Sequence, residues 1–470
     1  MVCYQEEVRD PSRMAEVLNR VIEKAIRGSA PAQINVPRDY WTQVVDIDLP
    51  PIIRLERQAG GADAIERAAK ILSEAKFPVI LSGAGVVIGD AIQDCVKLAE
   101  KLDSPVCSGY QHNDSFPGSH PLAVGPLGYN GSKAGMQLIS KADVVLALGT
   151  RLNPFSTLPG YGIDYWPKNA KIIQVDMNSD RIGLTKKVTV AICGDAKLVS
   201  QQLLAKLSPK AGDTDRQKRK DIIHQTKSAW LQELSSLDHE DDDKGTVWNK
   251  EARARDKDRM SPRQAWRAIQ AGMPEDVIIS SDIGNNCAIG NAYPTFEKGR
   301  KYLAPGLFGP CGYGFPAILG AKIGCPDTPV IGFAGDGAFG ISMNEMSSCA
   351  RKEWPAISMV IFRNYQWGAE KRNSILWFDD NFVGTELDPE LSYAKVANAC
   401  GLKGVTVKTM EETTKAIKQS CEDQKKGITT FIEVILNQEL GEPFRRDAMK
   451  KPVRVAGIKK EDMKAQKNLN

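Results

Sequence analysis

Short apolar runs that end abruptly in glycine and polar residues recur in the last third of the chain. The run at 329–334 stops at the tripeptide GDG (335–337), and the run at 357–362 stops at Arg363-Asn364. Between them, Ser342 and Glu345 have the spacing of a capping box, which predicts the start of a helix. The pattern therefore predicts a βαβ unit with two buried parallel strands.

The same alternation of strand and helix patterns extends over most of the chain. In residues 56–207, apolar runs such as Pro78–Ser82 and Ala142–Leu148 predict strands that alternate with amphipathic helices. This region is Rossmann-like, but its glycines at 83, 85 and 89 lack the dinucleotide spacing, which favours a structural role over NAD or FAD binding. The predicted fold class is α/β with parallel sheets, and a second such domain is predicted at 261–470.

Two segments have too few elements to form a core of their own. Residues 1–55 contain one predicted helix, at 11–28, and one predicted strand, at 32–36, so we expect the remnant of a larger domain plus a linker. Residues 208–260 are strongly charged and predict a linker with one surface helix, which carries Trp230 and Leu234.

Composition excludes several classes of function. The 470 residues carry 62 basic and 58 acidic side chains, a net charge of +4 that does not require nucleic acid or a membrane surface. No apolar run is long enough to span a bilayer, and the first residues do not resemble a signal peptide, so we expect a cytoplasmic protein. With four histidines and no C-x-x-C pair, the chain favours chemistry that is carried by a cofactor.

The βαβ unit predicts a metal site. Parallel strands deliver the residues that follow them to one edge of the sheet, so Asp336 and Asn364 are expected to lie close together. A carboxylate and an amide oxygen suit Mg²⁺ or Ca²⁺ and leave positions open for phosphate oxygens. Gly335 and Gly337 allow backbone N–H groups to approach an anion. The edge is therefore predicted to hold a metal ion and a diphosphate.

These residues resemble the signature of the thiamine-diphosphate enzymes, GDG followed at a distance by a pair of asparagines. The resemblance implies that Asp336, Asn364 and the carbonyl of Gln366 bind Mg²⁺, although Arg363 replaces the first asparagine. The family often has a methionine that holds the cofactor in its bent form, and the resemblance implies that Cys311 occupies this position. The cofactor contacts implied in this way are Gly284, Asn285, Asn286, Gly309, Cys311, Gly335, Gly337, Ala338, Gln366 and Gly368.

Longer stretches make the resemblance more specific. The chain is similar to the acetolactate-synthase-like thiamine-diphosphate enzymes, and within them to the sulfoacetaldehyde acetyltransferases. The similarity lies in GYQHNDSFPGSHPLAVGPLGYNGSKAGM (109–136), LGTRLNPFSTLPGYGIDYWP (148–167), DIGNNCAIGNAYP (282–294), GLFGPCGYGFPAILGAKIGCP (306–326), FRNYQWGAEKR (362–372) and NQELGEPFRRDAMKKPV (437–453).

The resemblance implies a reaction in which sulfoacetaldehyde and phosphate give acetyl phosphate and sulfite through a thiamine-diphosphate adduct, in the breakdown of taurine and other sulfonates. It further implies a homodimer or homotetramer with active sites at the subunit interface. Two alternatives stay open: a 2-oxo-acid decarboxylase or carboligase of the acetolactate synthase type, and a non-catalytic cofactor-binding fragment.

The resemblance leaves the catalytic residue unassigned. The family activates its cofactor with a glutamate early in the pyrimidine-binding domain, and that part is not in this chain, which we therefore expect to be inactive alone. For the anionic substrates, the candidates are His112, in a polar loop, and Arg445 and Arg446, in the basic tail beside the predicted diphosphate site.

Overall fold

A computed structural model describes residues 2–28, 30–51, 56–207, 215–237, 256, 258–306, 308–351, 353–377 and 381–438. Within these ranges two six-stranded sheets, both entirely parallel, account for most of the core, and this confirms the predicted α/β class. None of the helices in the described ranges has the length and hydrophobicity required to cross a bilayer.

The first residues form a small unit of two strands and a helix. Its elements are β1 (Tyr4–Glu7), α1 (Met14–Gly28) and β2 (Ala32–Asn35). The sequence analysis missed β1, because its alternation of exposed and half-buried residues includes no apolar run. β1 pairs in parallel with β2, and Val8, Val17 and Val21 pack between the strands and the helix.

The first six-stranded sheet lies within residues 56–207. Its strands are β3 (Pro78–Ser82), β4 (Val106–Ser108), β5 (Ala123–Pro126), β6 (Val144–Leu148), β7 (Lys171–Asp176) and β8 (Val190–Cys193), in the order β5-β4-β3-β6-β7-β8. The helices around it are α2 (Ala62–Glu74), α3 (Ala84–Ile88), α4 (Ile92–Leu102), α5 (Lys133–Ile139) and α6 (Ala196–Lys206). β3 and β6 are buried along their whole length, as expected for strands covered on both faces.

The helix α7 (Arg216–Leu237) connects the first sheet to the second. Its Trp230 and Leu234 are buried in the same hydrophobic cluster as Trp266 and Phe333 of the second sheet region. Hydrogen bonds also join the two regions: Asn113 Nδ2 donates to the carbonyl of Asn291 at 2.9 Å. The division of the chain at 55, 207 and 260 stays a prediction.

The second six-stranded sheet carries the predicted site. Its strands are β9 (Ile278–Ser281), β10 (Tyr302–Leu303), β11 (Val330–Gly335), β12 (Ser358–Arg363), β13 (Lys403–Val407) and β14 (Thr430–Ile435), in the order β10-β9-β11-β12-β14-β13. The helices are α8 (Pro262–Gly272), α9 (Asn285–Ile289), α10 (Gly314–Gly324), α11 (Asp336–Ser342), α12 (Met346–Cys349), α13 (Gly368–Trp377), α14 (Tyr393–Ala399) and α15 (Met410–Lys425).

The register of β11 and β12 places the residues that follow them side by side. Gly335 is paired with Phe362, so Asp336 and Arg363-Asn364 leave the sheet at the same edge. The predicted capping box at Ser342 is wrong: the helix begins at Asp336, directly after the strand, and the Ser342 side chain caps nothing. The helix therefore starts at the site itself, with Gly335 at its N-cap position and no side-chain cap.

Candidate functional site

The candidate site lies where β9 and β11 meet, at the carboxyl edge of the second sheet. The chain leaves β9 for β10 on one side and returns through β11 on the other, so this is the switch point at which open α/β sheets bind ligands. The turn after β9 leads to Asn285 and Asn286, the turn after β11 contains GDG (335–337), and Asn364 follows β12.

Asp336 is held by three donors. The side chain is 1% exposed, and its Oδ2 accepts from the backbone N–H of Tyr365 at 2.6 Å and from Arg363 Nη1 at 3.1 Å. Its Oδ1 accepts from the N–H of Gly337 at 2.9 Å. Burial raises the pKa of the Asp336 carboxyl to about 6, although Arg363 and these hydrogen bonds favour the charged form. The carboxylate is therefore ionised at neutral pH.

Asn364 and, through its main-chain carbonyl, Gln366 are the residues predicted to share the metal with Asp336. Asn364 and Gln366 are 2% and 3% exposed, and neither Asn364 Oδ1 nor Gln366 Oε1 accepts a hydrogen bond. The Gln366 side chain is turned toward Gln438, whose carbonyl accepts from its Nε2 at 3.1 Å. A buried polar atom without a partner is uncommon, and a bound cation would satisfy Asn364 Oδ1.

The donor set therefore fits a hard divalent cation. In the described part of the chain no three His, Cys, Asp or Glu side chains are grouped closely enough to hold a metal ion. A metal at this edge would consequently depend on one carboxylate plus neutral amide and carbonyl oxygens, and a ligand such as a diphosphate would complete its coordination.

Small residues keep space open beside Asp336. A Cβ added at Gly335 would meet no atom within 4 Å, whereas one at Gly337 would lie 2.8 Å from the Trp367 ring. Ala338 is buried in the first turn of α11, and Gly368 begins α13. Gly335 thus borders open space, and Gly337 permits the close approach of Trp367.

The turn after β9 is organised by Asp282, a residue that the sequence analysis did not select. Its Oδ1 accepts from the N–H of Ile283 at 2.8 Å and of Gly312 at 3.2 Å, and its Oδ2 accepts from the N–H of Gly314 at 2.7 Å. Asp282 thereby fixes the glycine-rich segment that includes Cys311, which is exposed. Its place directly after a buried strand, like that of Asp336, is the signal that could have found it.

The other residues predicted on this segment lie at the same edge. Gly284 has a φ of +113° and a Cβ there would meet no atom within 4 Å, and Gly309 has a φ of +66°. Asn285 and Asn286 are buried, and the Asn286 carbonyl accepts from Trp266 Nε1 at 2.6 Å. Asn286 Oδ1 is buried without a hydrogen bond, like Asn364 Oδ1.

His112 lies in a different place from Asp336. It lines a cavity of about 410 Å³ between the two sheets, together with Arg151, Arg181 and Tyr313. Burial, and then the charge of Arg151, lower the pKa of His112 to about 4, so the imidazole is neutral at pH 7. Because Tyr313 follows Cys311 by two residues, the cavity extends to the glycine-rich segment. Arg445 and Arg446 lie outside the described residues.

Comparisons with known proteins agree with this geometry. Residues 65–203 match the family model "Thiamine pyrophosphate enzyme, central domain", and residues 282–434 match "Thiamine pyrophosphate enzyme, C-terminal TPP binding domain". The chain is 76% identical to a probable sulfoacetaldehyde acetyltransferase of Rhizobium meliloti (strain 1021), over 100% of this chain and 79% of that protein. It is 73% identical to a sulfoacetaldehyde acetyltransferase of Roseovarius nubinhibens, over 99% of this chain and 77% of that protein.

Among solved structures, the fold is similar to that of the thiamine diphosphate-dependent 4-hydroxybenzoylformate decarboxylase of Rhodococcus jostii RHA1. The TM-score is 0.70 at 22% identity, over 93% of this chain and 77% of that chain. At this identity the likeness concerns the fold alone.

Proposed function

Because this chain belongs to the sulfoacetaldehyde acetyltransferases, a family of thiamine-pyrophosphate-dependent enzymes, we propose that it converts sulfoacetaldehyde and phosphate into acetyl phosphate and sulfite. The observation that carries the proposal is the 76% identity to the Rhizobium meliloti relative over 469 residues. The 2-oxo-acid alternative has weaker support, since acetolactate synthase large subunits match at 27–29% identity.

The edge formed by Asp336, Asn364 and Gln366 would hold Mg²⁺ and the diphosphate of the cofactor. Support comes from the unpaired Oδ1 of Asn364 and from the open space at Gly335. Thiamine diphosphate, when bound, supplies a carbanion nucleophile and an electron sink. The described residues would anchor its diphosphate end, and the Gly309–Gly314 segment would support its organic part beside Cys311.

Residues lining the cavity between the sheets would receive the anionic substrates. Arg151 and Arg181 line it, and an arginine stays charged even where burial lowers its pKa, as for Arg151. The neutral imidazole of His112 lies among them and offers one donor and one acceptor to a sulfonate, aldehyde or phosphate oxygen. Arg445 and Arg446 remain further candidates for these contacts.

A homodimer or homotetramer with sites at the subunit interface, and a cytoplasmic location, complete the proposal. Support for a partner surface comes from α1, where Leu18, Ile22 and Ile26 are 42%, 48% and 69% exposed at a spacing of four residues.

The test of the function is release of sulfite from sulfoacetaldehyde in the presence of thiamine diphosphate, Mg²⁺ and phosphate. We would assay the chain alone and the chain mixed with the segment of the Rhizobium meliloti relative that lies outside the matched region. Sulfite together with acetyl phosphate in either assay supports the proposal. Release of CO₂ from 2-oxo acids, with no sulfite in either assay, would instead establish the alternative.

A further inference from the structure

The cavity between the two sheets is lined by two arginines that form no ion pair. Arg151 follows β6 and Arg181 follows β7, and both side chains face the cavity. Among the described residues, no carboxylate oxygen lies within 4 Å of either guanidinium. Burial, and then the charge of Arg181, lower the pKa of Arg151, so the two like charges lie close enough to repel each other. Two such charges facing one cavity suit an anionic ligand.

The backbone that carries the two arginines is held by a buried amide. Gln174 Nε2 donates to the carbonyl of Thr150, next to Arg151, at 3.1 Å and to the carbonyl of Arg181 itself at 3.2 Å. On the other side of Arg151, Leu152 is fully buried with a φ of +53°. A leucine keeps this left-handed conformation only where its surroundings hold it. The two charges are therefore positioned before any ligand binds.

The same cavity contains acceptors as well as donors. Asp176, the last residue of β7, is 9% exposed, and its Oδ1 accepts from the N–H of Asn178 at 2.9 Å. None of the described residues donates to Asp176 Oδ2. The neutral imidazole of His112 offers one donor and one acceptor. The charged side chains of the lining are two arginines and one aspartate, which together leave one net positive charge.

Another aspartate of the first sheet region shows what a structural role looks like. Asp143 lies just before β6, and both of its oxygens are used: Oδ2 accepts from the N–H of Lys76 at 2.7 Å, and Oδ1 accepts from the N–H of Phe77 at 2.8 Å. Asp176 has one oxygen engaged in this way and one oxygen that lies beside the cavity without a protein donor. Asp176 Oδ2 is thus available to a donor on a ligand.

We propose that this cavity is an oxyanion site that selects phosphate over a sulfonate, with Asp176 as the specificity-determining residue. The inference rests on the proposed function, in which both anions are substrates. Either anion can accept from the two guanidiniums. At neutral pH inorganic phosphate has at least one O–H, which can donate to the Asp176 carboxylate. A sulfonate has no O–H, so the carboxylate repels it and gains no hydrogen bond.

The unaltered protein provides the first test. Isothermal titration calorimetry at pH 7 would measure its affinity for inorganic phosphate, sulfate and methanesulfonate, with thiamine diphosphate and Mg²⁺ present to occupy the edge of the second sheet. We expect phosphate to bind about 30-fold more tightly than either of the others, the range of one hydrogen bond to a charged group. Equal or weaker binding of phosphate would overturn the proposal.

A variant of Asp176 assigns the preference to its carboxylate. Asp176→Asn keeps an acceptor for the N–H of Asn178 and replaces the free oxygen with an NH₂ group, which donates to any oxyanion. We expect sulfate and methanesulfonate to bind about tenfold more tightly, and the preference for phosphate to fall to about threefold. A folded Asp176→Asn variant with an unchanged preference would contradict the proposal.

A pair of charge variants locates the site and serves even if Asp176→Asn does not fold. Arg181→Gln should weaken the binding of phosphate by about tenfold, because it removes a charged donor from the cavity. The matched control is Lys168→Gln, which removes the same charge from a side chain that is 79% exposed and outside the cavity lining. This control should leave phosphate affinity unchanged. Equal losses in the two variants would show a general effect of net charge and refute the site.

Kinetics separate this inference from the proposed function. In the sulfite-release assay, Asp176→Asn should raise the KM for phosphate about tenfold and leave the KM for sulfoacetaldehyde unchanged, whereas a purely structural change would affect both. If the unaltered protein selects phosphate but releases no sulfite, the oxyanion site stands and the proposed function fails. If sulfite is released and Asp176→Asn keeps the KM for phosphate, the function stands and the role of Asp176 is wrong.

Discussion

The two six-stranded sheets are both parallel, but they differ in strand order and at their switch points. In the first sheet the loops after β3 and β6 pack backbone to backbone: a Cβ at Gly85 would lie 2.6 Å from the Cα of Gly149. In the second sheet the equivalent position is where β9 and β11 meet, and a Cβ at Gly335 would meet no atom within 4 Å. At its switch point the first sheet therefore has two loops in direct backbone contact, whereas the second sheet has open space beside Gly335.

Buried amide side chains show the same contrast. Gln174 on β7 is 1% exposed; its Nε2 donates to the carbonyls of Thr150 and Arg181, and its Oε1 accepts from the N–H of Gly183. Asn364 is as deeply buried, yet its Oδ1 has no hydrogen-bond partner. Since an unpaired buried oxygen destabilises a fold, this contrast supports the proposal that Asn364 binds a ligand, whereas the hydrogen bonds of Gln174 stabilise the fold.

Replacing Asn364 or Gln174 by an apolar side chain should give the largest difference between the two sheets in cofactor affinity and in stability. We expect Asn364→Leu to weaken the binding of Mg²⁺ with thiamine diphosphate by about 100-fold, because it removes a predicted metal ligand. The free energy of unfolding should change by less than about 1 kcal/mol, since no hydrogen bond to Oδ1 is lost. Calorimetric titration and urea denaturation measure the two quantities.

The matched control is Gln174→Met. It leaves three backbone groups without their partner and should lower the free energy of unfolding by about 2 kcal/mol, with the cofactor affinity unchanged. If Asn364→Leu destabilised the fold as much as Gln174→Met and left the cofactor affinity intact, the distinction between the two edges would be lost.

Adding a methyl group at each switch point should lower stability in the first sheet and cofactor affinity in the second. Gly85→Ala forces a Cβ against the backbone of Gly149 and should lower the free energy of unfolding by about 3 kcal/mol. Gly335→Ala has space in the protein, and the Gly335 φ of −69° suits alanine, so its stability should be unchanged. The same methyl would meet the diphosphate and should weaken thiamine-diphosphate binding by about 30-fold.

Urea denaturation and titration with thiamine diphosphate, applied to both glycine variants, provide the check. Equal loss of stability in the two would show that Gly335 is packed as tightly as Gly85. Normal cofactor affinity in Gly335→Ala would show that the open space serves another purpose.

The location of the candidate site could be predicted from the sequence, because it depends on the local pattern of apolar and polar residues. Two apolar runs ending at Asp336 and Asn364 were sufficient to place both residues at one edge, because adjacent parallel strands end together. The start of α11 was mispredicted, since the helix is set by the backbone geometry after Gly335 and not by the spacing of Ser342 and Glu345. Strand β1 was missed for lack of an apolar run.

Contacts between distant segments could not be predicted from the sequence. Arg363 looked like a departure from a motif, and its pairing with Asp336 depends on the register of β11 against β12. The Asp282 bonds to Gly312 and Gly314 span about 30 residues, and nothing in the local sequence specifies them. His112 lines a cavity that forms only where the two sheet regions pack together. The hydrophobic periodicity of the sequence does not predict that packing.

The smallest expected difference in stability and cofactor affinity is between variants of Asp282, in the second sheet region, and Asp195, in the first. Both carboxylates accept backbone N–H groups. Asp282 uses both oxygens, for Ile283, Gly312 and Gly314, so in Asp282→Asn at least one of these N–H groups faces an amide NH₂. We expect the free energy of unfolding to fall by about 1.5 kcal/mol. Thiamine-diphosphate affinity should fall by about tenfold, because the segment that carries Cys311 loses its anchor.

In the first half, Asp195 caps α6 through Oδ1, with the N–H groups of Lys197 and Leu198, and its Oδ2 lies 3.5 Å from Arg57 Nη1. Asparagine caps a helix as well as aspartate does, and the ion pair with the half-exposed Arg57 contributes little, so Asp195→Asn should lower the free energy of unfolding by less than about 1 kcal/mol and leave the cofactor affinity unchanged. Denaturation and cofactor titration of both variants test the pair. If the cofactor affinity stays normal in Asp282→Asn while stability falls, Asp282 has a structural role only. Cofactor binding at the second switch point would then depend on Asp336 and its neighbours and not on the turn after β9.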